Sequence, residues 1–125
     1  MSQNNIEIYE VYPTDEFNDN IEFYIRKKKY KHITKNINDV LENLKCGIFN
    51  GKIICDLKLG IKNNTYKIRA INTDTQQGKS NGYRLIYYVE KDNKIVFLLT
   101  IYYKKDEDRI PTEKEIVELI KRECE

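Results

Sequence analysis

Arg84, Lys67, Arg69 and Lys104 are the residues in this chain of 125 whose types and spacing allow chemistry. Lys67 and Arg69 stand two apart in Thr65-Tyr66-Lys67-Ile68-Arg69-Ala70-Ile71, which puts both on one face of a strand. Arg84 follows the basic, glycine-bounded loop Gly78-Lys79-Ser80-Asn81-Gly82 near the start of a second strand, Gly82–Glu90. Lys104 ends a third, Lys94–Lys104, across a tight turn at Lys91-Asp92-Asn93. Rigid strands that present cations can grip phosphate, lysine as a point charge and arginine as a planar fork. Arg84 shares its strand face with Ile86 and Tyr88, so it is either paired with an acid such as Asp56 or poised for an anion. Tyr83, Tyr87, Tyr88, Tyr102 and Tyr103 offer aromatic faces on which bases can stack. Strand tyrosines more often pack on a core with the hydroxyl outward, so one or two of these are expected to be functional.

Other chemistries are poorly served. Cys46, Cys55 and Cys124 are odd in number and lack metal-ligand spacing, which argues against a disulfide framework and for a reducing cytoplasm. His32 is the only histidine, so neither a His/Cys zinc site nor a two-histidine acid–base pair is expected. His32 follows the first helical segment, where capping or packing is the expected role. No apolar run approaches a membrane span, and the N-terminus lacks the basic and apolar regions of a signal peptide. The length suits a single domain, 1–125, with one modest core.

The net charge of +2 hides an asymmetry. Residues 1–25 carry six acids and no bases, residues 26–105 carry eighteen bases against six acids, and residues 106–125 carry four bases against eight acids. A basic middle between acidic ends is the pattern of a surface that faces a polyanion, although a Lys-, Asn- and Ile-rich composition also arises from genome bias alone.

The elements that must position the cations can be read from periodicity. Ile6 to Tyr12 alternates as a half-buried strand, closed by Pro13. Phe17, Ile21, Tyr24, Ile25 and Lys28 recur at helical spacing, with acids in the first turn and bases in the last. Ile37, Val40, Leu41 and Leu44 mark a second helix, with a cap at Asn36 and a left-handed residue at Gly47. Lys52 to Leu59 alternates as a strand, Asn63-Asn64 turns, and Thr65 to Ile71 forms the next. The loop Asn72 to Asn81 is polar and expected to be mobile. Thr112 and Glu115 form a capping box ahead of Ile116, Leu119 and Ile120, a short C-terminal helix. The expected fold is therefore α+β: an N-terminal strand and two helices, an antiparallel meander sheet, and the last helix. The helices should cover one sheet face and leave the other partly open for the cations.

Four segments give a further expectation. Tyr66-Lys67-Ile68-Arg69, Gly78-Lys79-Ser80-Asn81-Gly82, Tyr83-Arg84-Leu85-Ile86-Tyr87-Tyr88 and Leu98-Leu99-Thr100-Ile101-Tyr102-Tyr103-Lys104 occur in register. Together they resemble the RelE/ParE family of bacterial toxins over residues 65–105. The resemblance implies a RelE-like fold and the toxin of a type II toxin–antitoxin system, in many members a ribosome-dependent, metal-independent endonuclease of messenger RNA. Carried over by position, Arg84, Lys67, Arg69 and Lys104 would stabilise the scissile phosphate, and Lys79, Tyr83, Tyr102, Tyr103 and Lys105 would contact RNA. No metal and no small-molecule cofactor are implied. The implied partners are messenger RNA on the ribosome and a cognate antitoxin, whose extended, partly acidic segment would dock on the helical pair and open sheet.

The chain departs from the nuclease members after the last strand. Where they carry a catalytic tyrosine or histidine, it reads Lys105-Asp106-Glu107-Asp108-Arg109-Ile110. Glu107, Tyr102 and Tyr103 are the substitutes at hand. Gyrase-poisoning members share the fold without nuclease residues. A gyrase poison and an inactive nucleic-acid-binding member are therefore the alternatives.

Overall fold

The computed structural model describes residues 8–54 and 64–124. The chain runs as β1 (Glu10–Pro13), α1 (Asp15–Arg26), α2 (Ile33–Lys45), β2 (Lys52–Ile53), β3 (Asn64–Ala70), β4 (Tyr83–Glu90), β5 (Ile95–Tyr103) and α3 (Glu113–Glu123). This is the expected α+β order. One five-stranded sheet has the order β1-β5-β4-β3-β2, antiparallel except for β1, which lies parallel to β5. Part of the first and second expected strands, Ile6-Glu7 and Cys55 to Leu59, falls outside the described residues, as does Asn63 of the expected turn. Among the described residues, no helix is long and apolar enough to cross a membrane.

Local signals explain most of the helix ends. The Thr14 side chain accepts from the Phe17 amide and starts α1, with Asp15 and Glu16 in its first turn. Thr112 and Glu115 make the expected reciprocal capping box of α3. At the end of α2, Gly47 has φ 76°, the Gly47 amide donates to the Leu44 carbonyl and the Ile48 amide to that of Asn43. That is a Schellman closure, which needs a residue tolerant of the left-handed region. The start of α2 departs from expectation: the helix begins at Ile33, ahead of Asn36, and the His32 side chain does not cap it.

The placement of the helices also departs from expectation. Phe17 and Tyr24 of α1 and Ile33, Ile37 and Leu44 of α2 pack on one sheet face, against Tyr83, Leu85, Tyr87, Val89, Val96, Leu98, Ile101 and Tyr103. Ile116, Leu119 and Ile120 of α3 pack on the opposite face, against Ile86, Tyr88, Phe97, Leu99 and Tyr102. The second face is thus covered at its centre, and its β3 side presents Lys67 and Arg69. β4 carries apolar residues on both faces, so it needs cover on both. A bulge makes the pattern possible on β5: Tyr87 faces Leu98 but Ile86 faces Thr100, with Leu99 the extra residue. Inward positions therefore switch from Val96 and Leu98 to Ile101 and Tyr103.

Helix α1 also completes the sheet edge. β1 pairs with β5 only as far as Pro13 and Leu98. Beyond that point Asn20 Oδ1 accepts from the Ile101 amide at 3.1 Å and the Thr100 hydroxyl at 2.6 Å. The Tyr24 hydroxyl accepts from the Tyr103 amide at 2.8 Å and donates to Asp106 at 2.9 Å. Two side chains one helical turn apart thereby satisfy amides two residues apart on the strand.

Candidate nucleic-acid interface

The alternation of β3 sends Tyr66, Ile68 and Ala70 toward the helical pair and leaves Lys67 and Arg69 exposed on the other side. The register then sets like charges directly opposite each other. Lys52 of β2 is the partner of Lys67, and Arg69 is the partner of Arg84 on β4. Directly opposed like charges destabilise a sheet unless an anion lies between or over them. Among the described residues, Lys52, Lys67 and Arg69 make no ion pair with an acid.

These cations line one groove of about 560 Å³ along the outer side of β3 and the flank of α2. Lys52, Lys67, Arg69 and Lys79 contribute its positive charge, and Asp39 is the single acid among the described residues of its lining. β2 is short, so the ladder on this side of β3 ends at Lys67 and leaves the edge near Arg69 facing the groove.

Arg84 is placed differently. It is only 7% exposed, with Tyr102 as its partner on β5. Its Nη1 donates to the carbonyls of Lys79 at 3.0 Å and Tyr83 at 3.2 Å, and its Nη2 to that of Ser80 at 2.8 Å. Lys104 Nζ joins at the Ser80 carbonyl, 3.0 Å away. Burial, and then Arg69 opposite, lower the pKa of Arg84, while Tyr102 works the other way. Burial next to a second guanidinium is tolerable because the loop carbonyls solvate the charge. Arg84 and Lys104 therefore fasten the loop that carries Lys79. Gly82 belongs to the same device: a Cβ there would lie 2.1 Å from the Ala70 carbonyl, so only glycine allows the loop to close on β3.

The loop Asn72 to Asn81 is accordingly tied down rather than free. Short 3₁₀ turns occupy Thr73–Thr75 and Lys79–Asn81, and Asn72 and Gln77 exchange backbone hydrogen bonds. The Thr73 amide donates to Asn36 at 3.1 Å, and Asp74 binds His32.

The tyrosines expected to contact RNA are core residues. Tyr83, Tyr102 and Tyr103 are all buried, Tyr83 and Tyr103 in a ring cluster with Tyr24 and Tyr30, and Tyr102 in the core that α3 covers. Burial pushes the hydroxyls of Tyr83 and Tyr102 above their ordinary pKa. As placed, their faces are spent on packing, and base stacking is not open to them. Lys105 is exposed just beyond β5. The structure thus brings Lys67, Arg69 and Lys79 to one groove, sets the buried Arg84 opposite Arg69 with its guanidinium spent on the loop carbonyls, ties Lys104 to the same loop and leaves Lys105 exposed beyond β5. Lys52 was missed as a site residue. Its place on the polar face of an alternating strand is legible, but its pairing with Lys67 depends on register. Among the described residues, no group of three or more His, Cys, Asp and Glu side chains is arranged to hold a metal ion.

No known family model matches the chain, and no curated protein matches it in sequence.

Proposed function

We propose that this chain is the toxin of a type II toxin–antitoxin pair, a cytoplasmic protein that grips messenger RNA on the ribosome and cuts it, so arresting translation. The observation that carries the reading is two pairs of facing like charges, Lys52 with Lys67 and Arg69 with Arg84, beside a groove in which Asp39 is the one acid among the described lining residues. A phosphate backbone is the ligand that turns such repulsion into binding. The resemblance of residues 65–105 to RelE/ParE toxins supports the same reading. Cleavage by the RNA's own 2′-hydroxyl needs cations at the phosphorane and a group to move protons. Lys67, Arg69 and Lys79 are the cations free to meet the strand. An antitoxin segment with acidic residues would compete for the same groove.

A second reading is favoured by one feature. Arg84 spends its guanidinium on loop carbonyls, which suits a non-enzymatic binder such as a gyrase poison. Induction of the chain alone, followed by labelled amino acid and labelled thymidine, separates the two. The ribonuclease reading predicts that protein synthesis fails first and that co-expressed antitoxin restores growth. Undisturbed growth contradicts both readings, and replication failing first favours the gyrase poison.

A further inference from the structure

The only histidine of the chain has a setting that a mere cap does not need. Its ring Nδ1 lies 2.8 Å from Asp74 Oδ1, and its main-chain amide donates to Asp74 Oδ2 at 2.9 Å. One carboxylate thus fixes both the backbone and the ring of one residue. Burial works to raise the Asp74 carboxyl, but the hydrogen bonds from His32, and Lys31 nearby, outweigh it and hold the group below its ordinary pKa. An ionised Asp74 can only accept, so Nδ1 carries a proton and the neutral ring keeps its lone pair on Nε2. The His32 side chain is 47% exposed while that of Asp74 is 11% exposed. The orienting group is therefore shielded and the ring accessible.

The pair is braced from behind. Asn72 Oδ1 accepts from the Thr75 amide and sets the turn that carries Asp74. Asn36, one turn along α2 from His32, accepts from the Thr73 amide. His32 and Asn36 thus clasp two consecutive residues. The cleft in front, about 590 Å³, is lined by His32, Lys35, Asn36, Asp39 and Ile71. Asn36, Asp39 and Ile71 also line the cationic groove, so the two are continuous. The ionisable groups around the ring are Tyr30, Lys31 and Lys35 on its own stretch of chain, Asp39 on α2 and Asp74 on the facing turn.

We propose that His32, oriented by Asp74, is the proton-transfer residue for an RNA strand held in the groove, with the scissile phosphate at its His32 end. This rests on the ribonuclease reading and supplies the acid–base group that the segment after β5 lacks. His32 Nε2 takes the proton of the 2′-hydroxyl as the 2′-oxygen bonds to phosphorus. The bond from phosphorus to the 5′-oxygen breaks, and the leaving oxygen takes a proton from water. The hydroxide so formed is neutralised by the imidazolium. The products are a 2′,3′-cyclic phosphate and a 5′-hydroxyl.

The test measures messenger-RNA cleavage in a translating extract against pH for wild type, His32→Gln and Asn36→Ala, with thermal melting of each. The proposal predicts that His32→Gln cuts about 100- to 10,000-fold more slowly and loses the acid limb of the wild-type profile. Asn36→Ala, which loosens the clasp but keeps the imidazole, should retain that limb. Wild-type products should end in 2′,3′-cyclic phosphate. Wild type that leaves RNA intact overturns both the ribonuclease reading and this one. Wild type that cuts while His32→Gln cuts equally well overturns this proposal alone. Equal losses in His32→Gln and Asn36→Ala with an unchanged profile also overturn it, because they make the pair a structural clasp.

Discussion

Three hydrogen bonds tie the Arg84 guanidinium to carbonyls of the segment it follows. Hydrogen bonds to a charged group are worth about 1.5–3 kcal/mol each, and a carbonyl left without its donor costs a comparable amount where water is scarce. Arg84→Ala is therefore expected to lower stability by at least about 2 kcal/mol in urea melts. Arg84→Lys should recover only part of that, because a point charge cannot span carbonyls that a fork reaches. An Arg84→Ala protein as stable as wild type would show that the bonds contribute nothing. The sequence made the cation and its strand legible but not its partners. Residue type leaves an acid such as Asp56 and an anion as the two candidate partners, yet the partners are main-chain oxygens, which any residue provides. The tyrosines failed for a related reason. Residue type marks Tyr83 and Tyr103 as strand aromatics, but only packing decides whether a ring faces solvent or α1.

At the scale of elements, the edge of β5 carries the clearest energetic consequence. Asn20 is buried in an otherwise apolar helix face, and its carbonyl oxygen is the acceptor for both the Ile101 amide and the Thr100 hydroxyl. Asn20→Leu fills the space but orphans both donors. A loss of about 1–3 kcal/mol is expected, measured by thermal or urea unfolding. Asn18→Leu, exposed on the same helix, should change little. Equal stability of both variants would mean that the edge needs no side-chain acceptor. The helical stripe of Phe17, Ile21 and Tyr24 was readable because burial has a period, whereas one polar acceptor within it has none. The start of α2 is hidden from the sequence for a tertiary reason: the acceptor of the His32 amide is Asp74, which lies far away in sequence. The face taken by α3 was hidden in its own stripe, which says only that one side is apolar. The sign lay in β4 instead, where Leu85 to Val89 is apolar without alternation and so requires cover on both faces.

Across the whole molecule, the basic middle of the chain becomes a place. Residues far apart in sequence, Lys52, Lys67, Arg69 and Lys79, line one groove, while the acid-rich C-terminal stretch forms α3 and the turn before it. Charge counting by segment marked the middle of the chain as basic, and strand alternation anticipated that Lys67 and Arg69 share a side. Neither revealed the facing like charges, because the registers of β2 on β3 and of β3 on β4 are set by tertiary pairing rather than by local pattern. If the groove holds an RNA strand, each cation removed from it must release one fewer counterion. The most direct measurement is the salt dependence of single-stranded RNA binding by Lys67→Ala/Arg69→Ala/Lys79→Ala, compared with wild type and with Lys27→Ala/Lys114→Ala/Lys121→Ala. The expected slope of log K against log salt is about −0.7 per contacted phosphate, so the groove variant should lose about 2 from its magnitude. The control, with the same three charges removed elsewhere, should keep the wild-type slope. A groove variant that binds RNA with wild-type affinity and slope would contradict the account.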